Sequence, residues 1–572
     1  MSGGLLQLVA VGAQDGPITG NPQNTFFKIG YKRFSPYAEE SIEQTFNGPA
    51  DFGKRVTCTI SRNADLIKGI TLQVTLPSQT LDTQAKQFRW LNYVGFRLVK
   101  KFEVEVGGQL IDRQYGEWLY IWHQLTTPPG SRRNLEELVG NSHDLTLMKD
   151  GAGLPLDATC SASELTNSCV PRSGTPAKTL YIPLSTLWFC RNPGLALPLI
   201  ALQYHEVKIN IEFANFSDCA FWSSAYTPVQ SLVAASLYVD YVYLDTDERR
   251  ATSQRTHEYL IEQLQQPGGE TITSSVYKAK MNFNHPCKAL YWVVQRDSFV
   301  QCSSTPYNVA YIAEAGGAQP FNFTDEWTTD GLIMDVLGKP ELATAVTGGT
   351  SVAVPEGTTF GGTNTSWYVP NFAQNALGGI TTGGLEDGAV DADQFVSGTT
   401  NYLLAKLLLE SGVKCEGKNP VEVAKITLNG HDRFSEREGR YFDKKQVLDH
   451  HTSTGATGIN MYSFCLKPEE WQPSGSLNFS RIDTAHLHLT LSVNTVRDQR
   501  TASLRIYAVN YNFFRVTSGM GGLAFASWGL AMLCSYLRVI FKTIKYNKIQ
   551  YRVINNLGYL SQNMDTQMRF HI

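Results

Sequence analysis

Along much of the chain, apolar and polar residues alternate with a period of two. Ile70-Thr-Leu-Gln-Val-Thr-Leu76 alternates without a break and ends at Pro77. Phe102, Val104 and Val106 alternate with Glu103 and Glu105, and Gly107-Gly108 then turns the chain. Val207, Ile209, Ile211 and Phe213 alternate with Lys208, Asn210 and Glu212. Leu487, Leu489, Leu491 and Val493 alternate with His488, Thr490 and Ser492. Ile426 and Leu428 lead into Asn429-Gly430, a pair that accepts the positive φ angles of a tight hairpin. A period of two sends successive side chains to opposite faces, so each stretch is a strand with one buried and one wetter face. Strands of this kind in both halves predict an all-β chain of antiparallel sandwiches or barrels.

Helical signal is scarce. The clearest piece is DTDERRATSQRTHEYLIEQLQQPGG, residues 245–269. Thr246 or Asp247 can cap it, Tyr259, Leu260 and Leu264 give it an apolar side, and Pro267-Gly268-Gly269 stops it. A lone helix between strand-rich halves reads as a connector, which places the domain boundary at 246–268. The halves also echo each other. Residues 181–213 and 462–493 both begin with Tyr, carry Phe-Cys (Phe189-Cys190, Phe464-Cys465), pass a Pro-rich turn and finish in an alternating strand. A Gly turn followed by Asp-Arg occurs at 107–113 and again at 429–433. Two diverged copies of one β-sandwich would leave such a trace. Residues 126–178, rich in Pro, Gly, Ser and Thr, and residues 345–395, rich in Gly, Thr and Asn, read as long surface insertions.

Size and composition narrow this picture. A chain of 572 residues exceeds what one hydrophobic core usually serves. The 11% aromatic content, with 48 Gly and 24 Pro, favours strands and turns. A net charge of -3 argues against a general nucleic-acid coat. The ten cysteines form no CxxC pair and fit reduced, buried thiols; Cys160 and Cys169, which share one polar loop, are the pair to watch. The N-terminal apolar run lacks a basic flank and is broken by Gln7, so it does not read as a signal peptide. Glycosylation sequons stand at Asn215, Asn322, Asn364 and Asn478, and without a secretory signal they carry little weight.

The search for chemistry finds no constellation that specifies a reaction, a cofactor or a metal. Gly412-Val-Lys-Cys-Glu-Gly417-Lys418-Asn419 approaches a phosphate loop. It has Asn where magnesium needs Ser or Thr, and a strand-like stretch follows where a helix should. His486 and His488 share one strand face, but no acidic residue follows to complete a metal site, so they read as half-exposed strand histidines. His450-His451 adjoins a Gly/Thr-rich turn and reads as loop packing. The run Asp432, Arg433, Glu436, Arg437, Glu438, Arg440 mixes both signs and reads as a solvated or interface salt-bridge network.

Several ordered blocks nevertheless resemble one family. They are GGLLQLVAVGAQDGPITGNPQNTFFKIGYKR (3–33), FGKRVTCTISRNADLI (52–67), DTDERR with HEYLIEQLQ (245–265), LNGHDRF (428–434), GINMYSFCLKPEEWQPSGSLNFSRID (458–483) and YAVNYNFFRVTSGMGGLAF (507–525). Together they are similar to the major capsid proteins of the nucleocytoplasmic large DNA viruses. The resemblance implies two tandem eight-stranded jelly rolls, at 26–245 and 269–517, joined by the 246–268 connector. It implies a homotrimeric, pseudo-hexameric capsomer that tiles an icosahedral shell, and a virion location after assembly in the host cytoplasm. Partners would be neighbouring capsomers and minor capsid and penton proteins, with no sequence-specific nucleic acid. The arm 1–25 would lie under the shell, near minor capsid proteins or the inner viral membrane. The two insertions would decorate the capsomer. The competing expectation is a secreted or membrane-anchored β-sandwich lectin or carbohydrate-active protein, which calls for disulfides and a carboxylate pair in a cleft.

The C-terminus stands apart. Ser518–Leu537 is 20 residues without a charge, long enough to span a bilayer as a helix. Ser518–Ala526, however, matches the place where the family resemblance ends, as a closing segment after the last strand. Residues 527–572 have no counterpart in it. From Arg538 to Ile572 there are six basic residues and one acidic, a net +5 that leaves the rest at -8. Arg538, Lys542, Lys545, Lys548 and Arg552 recur every three or four residues. An appended tail, a basic amphipathic helix on a membrane or acidic partner, and a bilayer span are the three readings, with the appended tail preferred.

Overall fold

The computed structural model describes residues 33–81, 88–146, 174–223, 226–300, 318–325, 417–496 and 501–525, with a few positions among the first 21. The strands form two groups. The first runs β1 (Tyr37–Gln44), β2 (Arg55–Thr59), β3 (Leu66–Leu76), β4 (Val99–Val106), β5 (Gln109–Tyr115), β6 (Lys178–Pro183), β7 (Val207–Phe213) and β8 (Ala234–Leu244). These pair antiparallel from the outside in: β1 with β8, β2 with β7, β3 with β6, β4 with β5. Further pairing of β8 with β3 and β7 with β4 yields two sheets, β1-β8-β3-β6 and β2-β7-β4-β5.

The second group repeats the nesting. It runs β9 (His257–Gln265), β10 (Val276–Lys280), β11 (Pro286–Arg296), β12 (Val421–Leu428), β13 (Asn460–Ser463), β14 (Ala485–Leu491) and β15 (Ala502–Thr517). Here β9 pairs β15, β10 pairs β14, β11 pairs β13, and β12 pairs the short segments His431–Asp432 and Arg437–Glu438. A long hairpin ribbon rolled over itself produces this nesting, which is the winding of a jelly roll. The predicted all-β class is therefore what the fold shows.

The echo in the sequence has a topological basis. Tyr181 and Tyr462 lie on corresponding strands, β6 and β13, and the alternating strands that follow are β7 and β14. The two Gly turns are corresponding hairpins. Gly107 and Gly108 have φ 58 and 81, and Asn429 and Gly430 have φ 50 and 83, the left-handed pair that a two-residue hairpin loop requires.

Two expectations are corrected, and one element appears that the pattern did not announce. The connector is helical only at α3 (Thr246–Gln254), and His257–Gln265, expected to continue the helix, is strand β9. Its nine residues pair along β15, and that ladder overrides a weak helical pattern. Inside the supposed insertion 126–178, Pro129–Leu138 is a surface helix that opens with Pro at its first turn. Finally, Gly116–Thr126 is a helix that alternation could not reveal. Numbered in chain order, these two are α1 (Gly116–Thr126) and α2 (Pro129–Leu138). Helix α1 buries Trp118, Leu119, Tyr120, Ile121, Trp122 and Leu125, so it carries no polar face to set a period. Its first residue must be small, since a Cβ on Gly116 would meet the carbonyl oxygens of Val99 and Phe96 at 2.0 and 2.1 Å.

After β15 the chain turns through Ser518 and Gly519 (φ 53 and 79) into β16 (Met520–Leu523), which pairs back on β15. The first residues of the uncharged Ser518–Leu537 stretch are thus strand, not helix. Among the described residues no helix is long and apolar enough to cross a membrane. Residues 345–395, 412–416 of the phosphate-loop candidate, Cys160, Cys169, Asn364 and the tail 527–572 lie outside the described residues, as does most of the arm 1–25.

Candidate functional site

The two sandwiches meet along a buried seam, and β11 explains how. Its core sequence CKALYWVVQ is buried at every position. Leu290, Trp292 and Val294 point into the second sandwich. Ala289, Tyr291 and Val293 point the other way and join the core of the first. A sheet covered on both faces needs an unbroken apolar run rather than alternation. β15 divides in the same manner, with Leu504, Ile506 and Ala508 on one side and Tyr507 and Val509 on the other.

Helix α1, which follows β5, fills the seam. Trp118 packs against Tyr291 and Tyr507 at ring-centroid distances of 5.1 and 5.3 Å. Glu117 accepts from Arg505 Nε at 2.7 Å, and Arg505 also donates to Gln295 Oε1 at 2.6 Å. Trp122 meets the edge of His451, whose Nε2 faces the Tyr291 hydroxyl at 3.1 Å and whose Nδ1 faces Glu469 at 2.7 Å. Burial lowers the His451 pKa, while Glu469 works against that fall. Of the His450-His451 pair, His451 has its side chain buried and bonded, while His450 meets the Leu466 carbonyl in an exposed contact.

Charges are buried here too. Glu262 of β9 bridges Lys288 of β11 and Arg191 of the first sandwich. The Lys288 side chain is 1% exposed and that of Glu262 7%. Burial lowers Lys288 and Glu262 opposes it. Arg191 also lies over the Trp122 ring at 4.1 Å. An arrangement that kept the seam dry but drew Arg191 away from Glu262 would leave buried charge unpaired, so the cluster favours this registration of the halves.

Two sheet edges approach each other at the seam and are sealed by side chains. Asp112 of β5 accepts the backbone N–H groups of Leu264 and Arg113 and the side-chain amide of Gln114. Burial pushes its carboxyl up to about 7, against those donors. Gln263 donates to the Ile111 carbonyl and accepts from Asn512. At the far end β16 lies on the first sandwich, where Tyr204 N–H donates to the Gly519 carbonyl at 3.0 Å. A Cβ on Gly521 would meet Leu202 at 2.5 Å.

The remaining sequence candidates scatter. His486 and His488 sit 6.3 Å apart, centroid to centroid, on the outward face of β14, with His488 against Thr427. Among the described residues no cluster of His, Cys, Asp or Glu could hold a metal ion. In the mixed-charge run, Lys425 contacts Asp432 and Glu436, and Arg437 lies over Tyr441. Asn215 and Asn478 are exposed at the starts of short helical turns. Asn322 is 6% exposed, with its side chain bonded to Gln319 and Thr324. Glu262, Lys288, Arg191 and Asp112 were not singled out from sequence. A carboxylate within the apolar surroundings of β9 was the available hint.

The proteins that this chain resembles are viral. Residues 25–245 match the family described as major capsid protein N-terminus, and residues 248–522 match large eukaryotic DNA virus major capsid protein. The major capsid protein of Phaeocystis pouchetii virus is 49% identical over 92% of this chain and all of its own length. That of Chrysochromulina ericina virus is 46% identical with the same coverage. Among solved structures, VP54 of PBCV-1 superimposes with a TM-score of 0.56 at 29% identity, covering 88% of this chain and 100% of that one. The Faustovirus major capsid protein shares the fold, with a TM-score of 0.58 at 13% identity, over 89% of this chain and 94% of its own. Fold and seam thus define a tandem jelly-roll protein of the viral capsid class. Within that class, the chain belongs to the family of large eukaryotic DNA virus major capsid proteins. The carbohydrate-active reading draws no support from these relatives.

Proposed function

We propose that this chain is the major shell-building subunit of a large double-stranded DNA virus, and that three copies form a capsomer with a pseudo-sixfold outline. Each half is read as one eight-stranded jelly roll. The observation that carries the proposal is the seam: apolar sheet faces and a buried ion cluster make the two rolls one block. Three such blocks offer six similar sides to their neighbours, and the work is geometric, with no catalytic step assigned. The arm 1–25 is placed beneath the shell and the insertions 126–178 and 345–395 on the capsomer surface. Asn215 and Asn478 are the exposed sequons in the described residues. A permanent trimer should bury more than about 2,000 Å². Light scattering on the purified full chain should report three times the 63.5 kDa subunit mass, and negative-stain images should show pseudo-hexagonal particles. A stable monomer over the micromolar range would defeat the proposal.

A further inference from the structure

The two rolls contain the same sheet in two conditions. In the second roll, the outer face of β9-β15-β11-β13 is covered by α1, the element joining β5 to β6 in the first roll. In the first roll, no described helix covers the outer face of the equivalent sheet β1-β8-β3-β6. That face carries Glu39, Glu43, Asp240, Lys68, Tyr238 and Tyr181. Tyr181 is 43% exposed, and the Tyr238 hydroxyl bonds to Glu43. Three acids against one lysine leave it negative.

The second roll also has an element equivalent to α1. Between Arg437–Glu438 and β13, a π-helical turn at Tyr441–Lys445 runs into the short helix Gln446–His450. One side of this segment, Phe442 and Val447, is buried. The other side presents Leu448, 73% exposed, and Lys444 and Lys445, each more than half exposed. Leu466, 74% exposed, adjoins it through the bond between His450 Nδ1 and the Leu466 carbonyl. An apolar-tipped connection in one roll, whose exposed side carries Lys444 and Lys445 against the single carboxylate of Asp449, and an acidic, tyrosine-bearing sheet in the other are therefore left over from the contact that joins the rolls internally.

We infer that the 441–450 connection of one copy docks on the outer β1-β8-β3-β6 face of a second copy, repeating between chains the contact that α1 makes within the chain. The inference rests on the trimer reading above. The contact uses two different surfaces, so it is head-to-tail, and a head-to-tail contact forms a closed ring when its rotation closes. The charges agree: Lys444 and Lys445 face a surface with a surplus of acids. Lys445 already touches Asp449 at 2.6 Å and Lys68 touches Glu39 at 2.6 Å, but both are exposed pairs of small worth and can be exchanged on docking. The interchain contact is more polar than the seam, which suits a contact made after each chain has folded.

Zero-length carbodiimide coupling of the wild-type full chain tests this without any mutation. Bands of two and three chains on a denaturing gel should contain Lys444 or Lys445 joined to Glu39, Glu43 or Asp240. Trimers whose bands lack that joint overturn the contact and leave the trimer standing, whereas a wild-type monomer removes the trimer reading itself. Leu448→Asp, at an exposed position, should reduce the trimer fraction at least tenfold with unchanged circular dichroism. An unchanged trimer fraction would equally overturn the contact.

Discussion

The sheets β1-β8-β3-β6 and β9-β15-β11-β13 hold the same place in their rolls, with matching strand order, yet they are composed differently. β3 alternates buried and half-buried residues along most of its length, while β11 is buried at every position between its ends. Strand order alone does not tell a sheet what it will face. The outward positions decide it, with Thr71, Gln73 and Thr75 on β3 against Tyr291 and Val293 on β11. The first sheet keeps a wet outer face. The second has given that face to the core, and its roll is not a separable unit.

This contrast can be broken by substitution. The largest effect is expected at the seam's ion cluster. Glu262→Leu leaves Lys288 and Arg191 without their carboxylate and should cost about 3–5 kcal/mol in urea unfolding. A loss under about 1 kcal/mol would mean that water reaches the cluster. Trp118→Ala should cost about 3–5 kcal/mol by opening a cavity between α1 and the covered sheet. That variant should also expose seam amides of β11 to hydrogen exchange while leaving β3 protected.

The pH dependence is smaller and has a definite sign. Asp112 holds its proton more tightly folded (about 7) than unfolded (near 3.8). The folded state therefore binds more protons between these values, and this group's contribution to stability declines as pH rises from about 4 to 7. Asp112→Asn keeps an acceptor for the Leu264 N–H and should flatten that decline. A Tm profile for the variant parallel to wild type would remove Asp112 from the account. Smallest of all, Tyr181→Ala on the uncovered sheet should shift unfolding within about 0.5 kcal/mol at high protein concentration. A deficit that grows on dilution would mark Tyr181 as part of a contact between copies.

What could be read from the chain follows the same division. β3, β4, β7 and β14 were legible because one face is wet and the other dry, and the Gly107-Gly108 and Asn429-Gly430 hairpins because their backbone needs φ above zero. α1 was missed because Trp118, Leu119, Tyr120, Ile121 and Trp122 are all buried and leave no period to detect. β9 was misread as helix because its partner strand β15 lies some 250 residues onward, pairing His257 with Val516. The seam's polar groups were invisible for a related reason. Glu262 meets Arg191 71 positions away, and Leu264 meets Asp112 152 positions away. No local rule links such partners.

The composition of the first core has a consequence for biosynthesis. It includes Tyr507, Val509, Phe514 and Val516, which are made after nearly all the rest of the described chain. At ordinary elongation rates of about 5–20 residues per second, the first roll must wait on the order of tens of seconds for these side chains. During that interval the nascent chain shows the ribosome's surroundings an unfinished apolar surface around Trp118 and Trp122. The two rolls therefore mature together, once β15 has been made, and a chaperone able to shield that surface would raise the yield of assembled protein more than one acting on the finished chain.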